Sequence, residues 1–218
     1  MAWLHVGCAS EIVADEPVEP TVIEGPIRIE DGSGVAAFSS LGDVVVAGDL
    51  IVAGSDLGDF EGLAGLSDVL DRLVIEDNPK LERLTDMKGL RRLTGNLAIH
   101  DNPKLSDLEG LRHLRNVAGS VTISQCPELE SVAGLSSLEV VGGDLVLQGL
   151  PRVKDVALPS LLRVGGELRI ERNPGLESLA GMPMLEAVGV RGGTIVIEGN
   201  ERLPKSEIDA FEERVGPN

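Results

Sequence analysis

The sequence predicts a mainly-β fold, a parallel β-solenoid of about eight coils closed by a short C-terminal helix, and three features carry that reading. A three-residue apolar-x-apolar word begins at Ile27, Leu50, Leu73, Leu97, Val121, Leu145, Leu168 and Ile195, at intervals of 23, 23, 24, 24, 24, 23 and 27 residues. Pro79, Pro103, Pro127 and Pro151 recur at a strict spacing of 24. Hydrophobic content is an ordinary 42%, but aromatic content is 2% with no Tyr, which suits a narrow interior filled by layers of Leu, Ile and Val. A fixed period of this length marks units that bury their apolar faces only by stacking on one another.

Superposing the copies yields a unit close to L-x-I-x-x-N-P-x-L-x-x-L-x-G-L-x-x-L-x-x-V-G-G. Within the word the apolar spacing is two, so Leu97 and Ile99 point inward and Ala98 outward, as in a strand. Beyond it the spacing becomes three, through Leu105, Leu108, Leu111, Leu114 and Val117, as in a chain turning corners with one inward side chain per short segment. A long helix also has a period near three, but the mid-unit glycines and the Gly-Gly or Ala-Gly endings oppose it. A short helical turn in some coils remains compatible.

Asn78, Asn102, Asn173 and Asn200 share the place after the word, with Cys126 and Leu150 in the same column. A structural Asn ladder there would satisfy backbone groups freed where each coil bends, bonding to coils above and below. Cys126 then reads as a buried structural side chain rather than a nucleophile. The copies from Ile27 and Leu50 lack Asn-Pro and are glycine-rich, as end repeats often are. At the C-terminus Ser206-x-x-Asp209 resembles a capping box, with Ile208, Phe211 and Val215 on one helical face. A cap over 205–216 should cover the last coil and block its strand edge. Thr21 to Gly25 is expected to do part of the same work at the other end.

Residues 1–20 read as a leader and acidic linker, and 21–218 as one solenoid domain. Leu4-His-Val-Gly-Cys8 resembles the end of a bacterial lipoprotein signal, which would make Cys8 a lipidation site, although His5 and the lack of a basic start depart from that pattern. An ordinary disordered start is the alternative. Glu11 to Pro20 is acidic with two prolines, as in a tether. Two cysteines so placed make no disulfide framework. No apolar run of about 18 residues exists, so no transmembrane segment is expected.

The Leu-x-Ile-x-x-Asn/Cys core, with a Gly-Gly-x-Leu-x-Ile lead as in Val164-Gly-Gly-Glu-Leu-Arg-Ile170, resembles the leucine-rich-repeat-like receptor L domain, the ligand-binding solenoid of insulin and epidermal growth factor receptors. It is closer to bacterial surface and lipoprotein relatives of that domain. The resemblance spans roughly Ile27 to Val215 and implies a right-handed coil with a parallel sheet on one side, used for binding rather than catalysis. The disulfide-rich elements of the animal receptors are absent, and no kinase follows, so their mode of signalling is not implied.

A net charge of -17 repels phosphate backbones, so nucleic acid is not an expected partner. No phosphate-cradling glycine loop, Cys-x-x-Cys or His-Glu-x-x-His occurs, and no cofactor or metal is implied. Asp56, Asp59 and Glu61 follow no calcium-loop pattern and read as solvated surface. By register His100 lies outward at a strand end, one coil from Glu76 and Ser124. A His–acid pair can transfer protons, but a polar ladder on a solvated face is the commoner arrangement.

The outer strand positions form the candidate ligand-binding face. They read Arg28, Ile51, Val74, Ala98, Thr122, Val146, Arg169 and Val196, and their centre is an exposed stripe of small and branched apolar side chains about 25 Å or more in length at a coil spacing of about 4.8 Å. Polar columns flank it, with Asp49, Arg72, Asn96, Asp144 and Glu167 on one side and Glu76, His100, Gln148 and Glu171 on the other. An apolar strip with a polar rim suits a protein or glycan ligand. Against this, branched residues favour strands whichever way they point. Three functions are compatible: a non-enzymatic recognition module of a bacterial envelope, lipid-anchored on the outer surface or secreted; a structural or self-associating surface spacer; and a polysaccharide-cleaving β-solenoid enzyme. The enzyme ranks last because the centre of the face is apolar. A cytoplasmic setting is also compatible with the chain.

Overall fold

The computed structural model describes residues 19–189 and 193–215, and these form a mainly-β parallel solenoid. The chain runs β1 (Thr21–Glu24), β2 (Ile27–Ile29), a short helix α1 (Gly32–Ala36), β3 (Val44–Ala47) and β4 (Leu50–Ala53). It continues through β5 (Leu66–Val69), β6 (Leu73–Glu76), β7 (Arg92–Leu93), β8 (Leu97–His100), β9 (Asn116–Val117) and β10 (Val121–Ser124). The remaining elements are β11 (Val140–Val141), β12 (Leu145–Gln148), β13 (Arg163–Val164), β14 (Leu168–Glu171), β15 (Ala187–Val188), β16 (Ile195–Glu198) and α2 (Lys205–Val215). The eight even-numbered strands begin at the eight repeated words and stack in chain order as one parallel sheet. Together they describe about seven turns.

The odd-numbered strands form a second eight-stranded parallel sheet, beyond the single sheet that the family resemblance implied. Most of its strands are only two residues long and end on one inward apolar residue: Leu93, Val117, Val141, Val164 and Val188 are all buried. After β9, β11 and β13 an Ala-Gly or Gly-Gly corner then joins the strand to the next strand of the main sheet. These glycines are required by contact between coils. A Cβ on Gly142 would strike the carbonyl oxygen of Ala118 in the preceding coil, and one on Gly165 that of Gly142. The extra residues of the 27-residue interval fall at the corner between β15 and β16, which includes 190–192, outside the described residues.

After each main-sheet strand from β4 onward the chain turns through a left-handed residue. Gly54, Asp77, Asp101, Gln125, Gly149, Arg172 and Gly199 all have φ between 53° and 67° and occupy one column. This conformation disfavours ordinary side chains, so its repetition at Asp77, Asp101, Gln125 and Arg172 shows that stacking dictates the bend. The third wall, between the prolines and the second sheet, carries inward Leu at every third residue, with single 3₁₀ turns at Glu109–Leu111 and Ala133–Leu135. It is also bonded coil to coil, for example from the Ser106 amide to the Glu82 carbonyl at 2.9 Å.

The interior holds one continuous apolar core, and the buried polar side chains within it lie in the column after the main sheet. Asn78 Oδ1 accepts from the Ser55 amide at 3.0 Å and from its hydroxyl at 2.6 Å. Asn78 in turn donates its backbone and side-chain N–H groups to Asn102 Oδ1, both at 3.1 Å. Asn102 Nδ2 donates to the Ile75 and His100 carbonyls at 2.9 Å each. Lower down, the Leu150 amide donates to Asn173 Oδ1 at 2.9 Å and the Asn173 amide to Asn200 Oδ1 at 3.0 Å. Leu150 itself offers no polar side chain, so the column has a gap beneath Cys126.

Three end details differ from expectation. Thr21–Glu24 is no separate lid; it pairs in register with β3 as the first strand of the second sheet. The first coil turns instead through α1, whose first amides at Ser33 and Gly34 are capped by Asp31 Oδ1 at 2.9 and 3.3 Å. At the C-terminus α2 starts ahead of Ser206, with the Pro204 carbonyl accepting from Glu207 at 3.0 Å and Ile208 at 3.3 Å. Ser206 therefore lies inside the helix, and Asp209 binds Lys205 at 2.7 Å rather than closing a capping box. Proline at the helix start supplies a fixed φ and moves the boundary upstream.

Helix α2 is pinned to the third wall and not along β16. Phe211 and Val215 are buried in the core's end. Glu207 accepts from the Leu179 amide at 2.8 Å, and Arg214 donates to the Met182 and Leu185 carbonyls at 3.0 and 3.1 Å. On β16, Ile195 and Ile197 are half-buried, whereas the matching residues of β14 are fully buried.

Asn102→Leu should cost about 2–3 kcal/mol, because the Asn78 amide loses its acceptor while remaining buried. Urea unfolding followed by circular dichroism reads this out, and an unchanged midpoint would contradict the ladder. Gly149→Ala, at φ 66°, should cost about 1–2 kcal/mol in the same assay.

Candidate functional site

Parallel pairing sets the outward residues of the main sheet in register. Arg28, Ile51, Val74, Ala98, Thr122, Val146, Arg169 and Val196 are successive Cα partners across all eight strands. The apolar part is five rungs, Ile51 to Val146, and each of these side chains is half-buried. Their neighbours in the column cover them, since branched side chains one coil apart touch along the stack. The most exposed large apolar residues, Val22, Leu70 and Met184, lie elsewhere.

Ion-paired arginines bound the stripe. At the top Arg28 meets Glu30 at 2.8 Å. Below Val146, Arg169 is held by Glu167 at 2.7 Å and Glu171 at 3.3 Å, and these carboxylates, Glu167 foremost, keep its guanidinium more firmly protonated. Arg169 thus sits as a clamped charge at the stripe's lower end.

The column before the strands is more than a polar rim. Asp49 Oδ1 accepts from the Arg72 amide at 3.0 Å, Asn96 Oδ1 from the Ser120 amide at 2.8 Å, Ser120 Oγ from the Asp144 amide at 3.0 Å, and Asp144 Oδ1 from the Glu167 amide at 2.8 Å. Each short acceptor caps the coil below, making a second side-chain ladder. Arg72 also pairs with Asp49 at 2.5 Å, and its hydrogen bonding is the main cause that lowers the Asp49 carboxyl below its ordinary range. Sequence reasoning missed this ladder, although Asp, Asn and Ser recurring one place before the word were its visible signal.

On the opposite side Glu76, His100, Ser124, Gln148 and Glu171 align in register. His100 Nε2 lies 3.1 Å from Glu76 and Nδ1 2.9 Å from Asp101. Both ring nitrogens are engaged by carboxylates, Glu76 one coil away and Asp101 on the same coil, and the Glu76 contact makes the imidazole a strut between coils. Asp56, from the candidate acidic loop, pairs with Lys80 at 2.9 Å, while Asp59 accepts from the Glu61 amide at 3.2 Å. Among the described residues no three potential metal ligands come together, and no helix is long and apolar enough to cross a membrane.

Cys126 is buried, with its thiol donating to the Ser124 carbonyl at 3.4 Å. Burial raises its pKa to about 11, against bonds from Asn102 that lower it. Cys8, the candidate lipidation site, lies outside the described residues, as does most of the 1–20 leader.

No family model, curated protein or solved structure matches the chain. What the architecture defines is a class, the parallel β-solenoid. The outer face of its main sheet is the candidate site.

Cys126 should resist alkylation at pH 8 in the folded protein and react fully once unfolded. Because the folded thiol keeps its proton to about pH 11 while an ordinary thiol ionises near 9.0, the unfolded state loses protons first and stability should fall between those values. Chemical unfolding at pH 8 and pH 10.5 measures this, and Cys126→Ala should reduce the difference.

Proposed function

We propose that this chain is a non-enzymatic recognition module, a receptor-L-domain-like solenoid that binds a partner protein through the outer face of its main sheet. The observation that carries the reading is the five-rung stripe Ile51–Val74–Ala98–Thr122–Val146, held in strict register and bounded by clamped arginines. Stacking fixes these side chains before any ligand arrives, so little ordering entropy opposes binding. The apolar centre favours a protein surface over a glycan, and the polar columns beside it suit an interface rim. Engagement of His100 by two carboxylates and burial of Cys126 support the absence of catalysis. The Leu4–Cys8 pattern and the acidic stretch after it support a lipid-anchored or secreted place at a bacterial envelope.

A self-associating spacer is the second reading, favoured by the half-buried Ile195 and Ile197 on terminal strand β16. Sedimentation distinguishes the two, since the spacer requires concentration-dependent assembly that the recognition module does not.

Crosslinking in the producing cells should place a partner protein against the stripe of the wild-type chain. The double variant Val74→Lys, Val146→Lys should lose that crosslink at least tenfold, as expected when charge is forced into an apolar contact. Its melting temperature should remain close to wild type, because both side chains point outward. An undiminished crosslink would remove the stripe from consideration.

A further inference from the structure

A cleft of about 700 Å³ opens on the third wall, away from the sheet face. One column runs through it. The place beyond the prolines reads Lys80, Lys104, Glu128, Arg152, Gly175 and, in the last coil, Arg202. Gly175 puts no side chain between the two arginines and packs so closely on the coil above that a Cβ would strike the Pro151 carbonyl oxygen. The volume falls within the range of ligand-binding clefts.

The lining has two chemical characters. Arg152, Lys154 and Arg202 supply cations, a local concentration that stands out on a chain of net charge -17. Arg152 and Arg202 are tethered at the rim by Glu128 at 2.5 Å and Glu177 at 3.3 Å, which sets their direction. Lys154 is exposed and has no ion-pair partner among the described residues. Between these cations lie the acceptors Glu130, Ser131 and Asp155. Pro151, Ala157 and Gly175 complete the lining with uncharged surface.

A plain polyanion would meet Glu130 and Asp155 and be repelled by them. A neutral ligand would leave Lys154 without a charged partner, along with the donors of Arg152 and Arg202 that do not face Glu128 and Glu177. Hydroxyl groups both donate and accept, so they satisfy carboxylate acceptors, while a carboxylate on the same molecule answers guanidinium and ammonium donors. We propose that this cleft binds an acidic saccharide, an oligosaccharide whose rings carry carboxylates among their hydroxyls. The site is on a different wall from the apolar stripe and stands whether or not the stripe binds a protein.

Tetragalacturonate is a suitable probe, titrated into the full chain at low salt by calorimetry and by amide NMR. Saturable binding with Kd of about 1 mM or tighter is expected, as suits a shallow and partly exposed site. The perturbed amides should cluster at Lys154, Gly175 and Arg202. Maltotetraose, inorganic phosphate and tetraglutamate should each bind at least about tenfold more weakly. Lys154→Ala and Arg202→Ala, both at exposed positions, should each weaken tetragalacturonate about tenfold with unchanged circular dichroism. The Val74→Lys, Val146→Lys variant should bind it as the wild type does, which separates this site from the sheet face. Absence of saturation by about 10 mM, equal binding of maltotetraose, phosphate or tetraglutamate, or undiminished binding by both cleft variants would each overturn the proposal.

Discussion

Backbone hydrogen bonds between coils hold successive turns about 4.8 Å apart, and nearly every other feature answers to that spacing. At such a distance a residue's nearest neighbour is the same position of the next coil. Whatever stands at a position must therefore tolerate its own kind above and below. Gly142 and Gly165 meet the demand by having no side chain where corners touch. The interior meets it with Leu, Ile and Val, whose flat layers stack without voids, and this accounts for the near absence of rings in the core. Buried amides that a bend would strand are served by Asn side chains reaching one coil up.

The same spacing shapes the surface. Like charges repeated in one column would repel along its whole length, and at several places opposite charges stand on successive coils instead. Arg72 meets Asp49, Arg92 meets Asp68 at 3.2 Å, and Arg115 meets Glu139 at 3.3 Å, each one coil apart. These exposed pairs add little to stability individually. Their effect is to arrange a strongly acidic surface without building continuous rows of one sign. The apolar stripe and the cleft around Lys154 are the places assigned to ligands above.

The main sheet was legible in full because its signal is repeated eight times, and one ambiguous word is corrected by the other seven. Leu97, Val121 and Leu145 are side by side where the period put them. The second sheet was not legible. Its strands contribute a single inward residue, such as Val117 or Val141, and two residues cannot display an alternation. The left-handed column was hidden for another reason: Asp77, Gln125 and Arg172 share a backbone conformation but no side-chain chemistry. Ser206 and Asp209 misled because a local capping pattern was outweighed by Pro204, one turn earlier. Of the candidate site, the outward order of residues was readable, since it follows from strand parity. Their half-buried state depends on contacts between coils, which a linear reading does not display, whereas the Asn96–Ser120–Asp144 ladder left a trace one place before the word that went unread. The cleft was hidden in the same way, as its walls come from four different repeats.

The gap that Leu150 leaves in the Asn column has a mechanical meaning. From β4 to β16 each joint is tied by sheet bonds, and the others also carry a buried bond through that column, whether from Asn, Ser55 or the Cys126 thiol. Where cohesion between neighbours is unequal, an unravelling front comes to rest at the weakest seam. Between Cys126 and Leu150 that column gives no tie, and the upper and lower parts of this protein are held across the joint by the sheets, the apolar core, the Ser120–Asp144 rung and the Glu128–Arg152 ion pair.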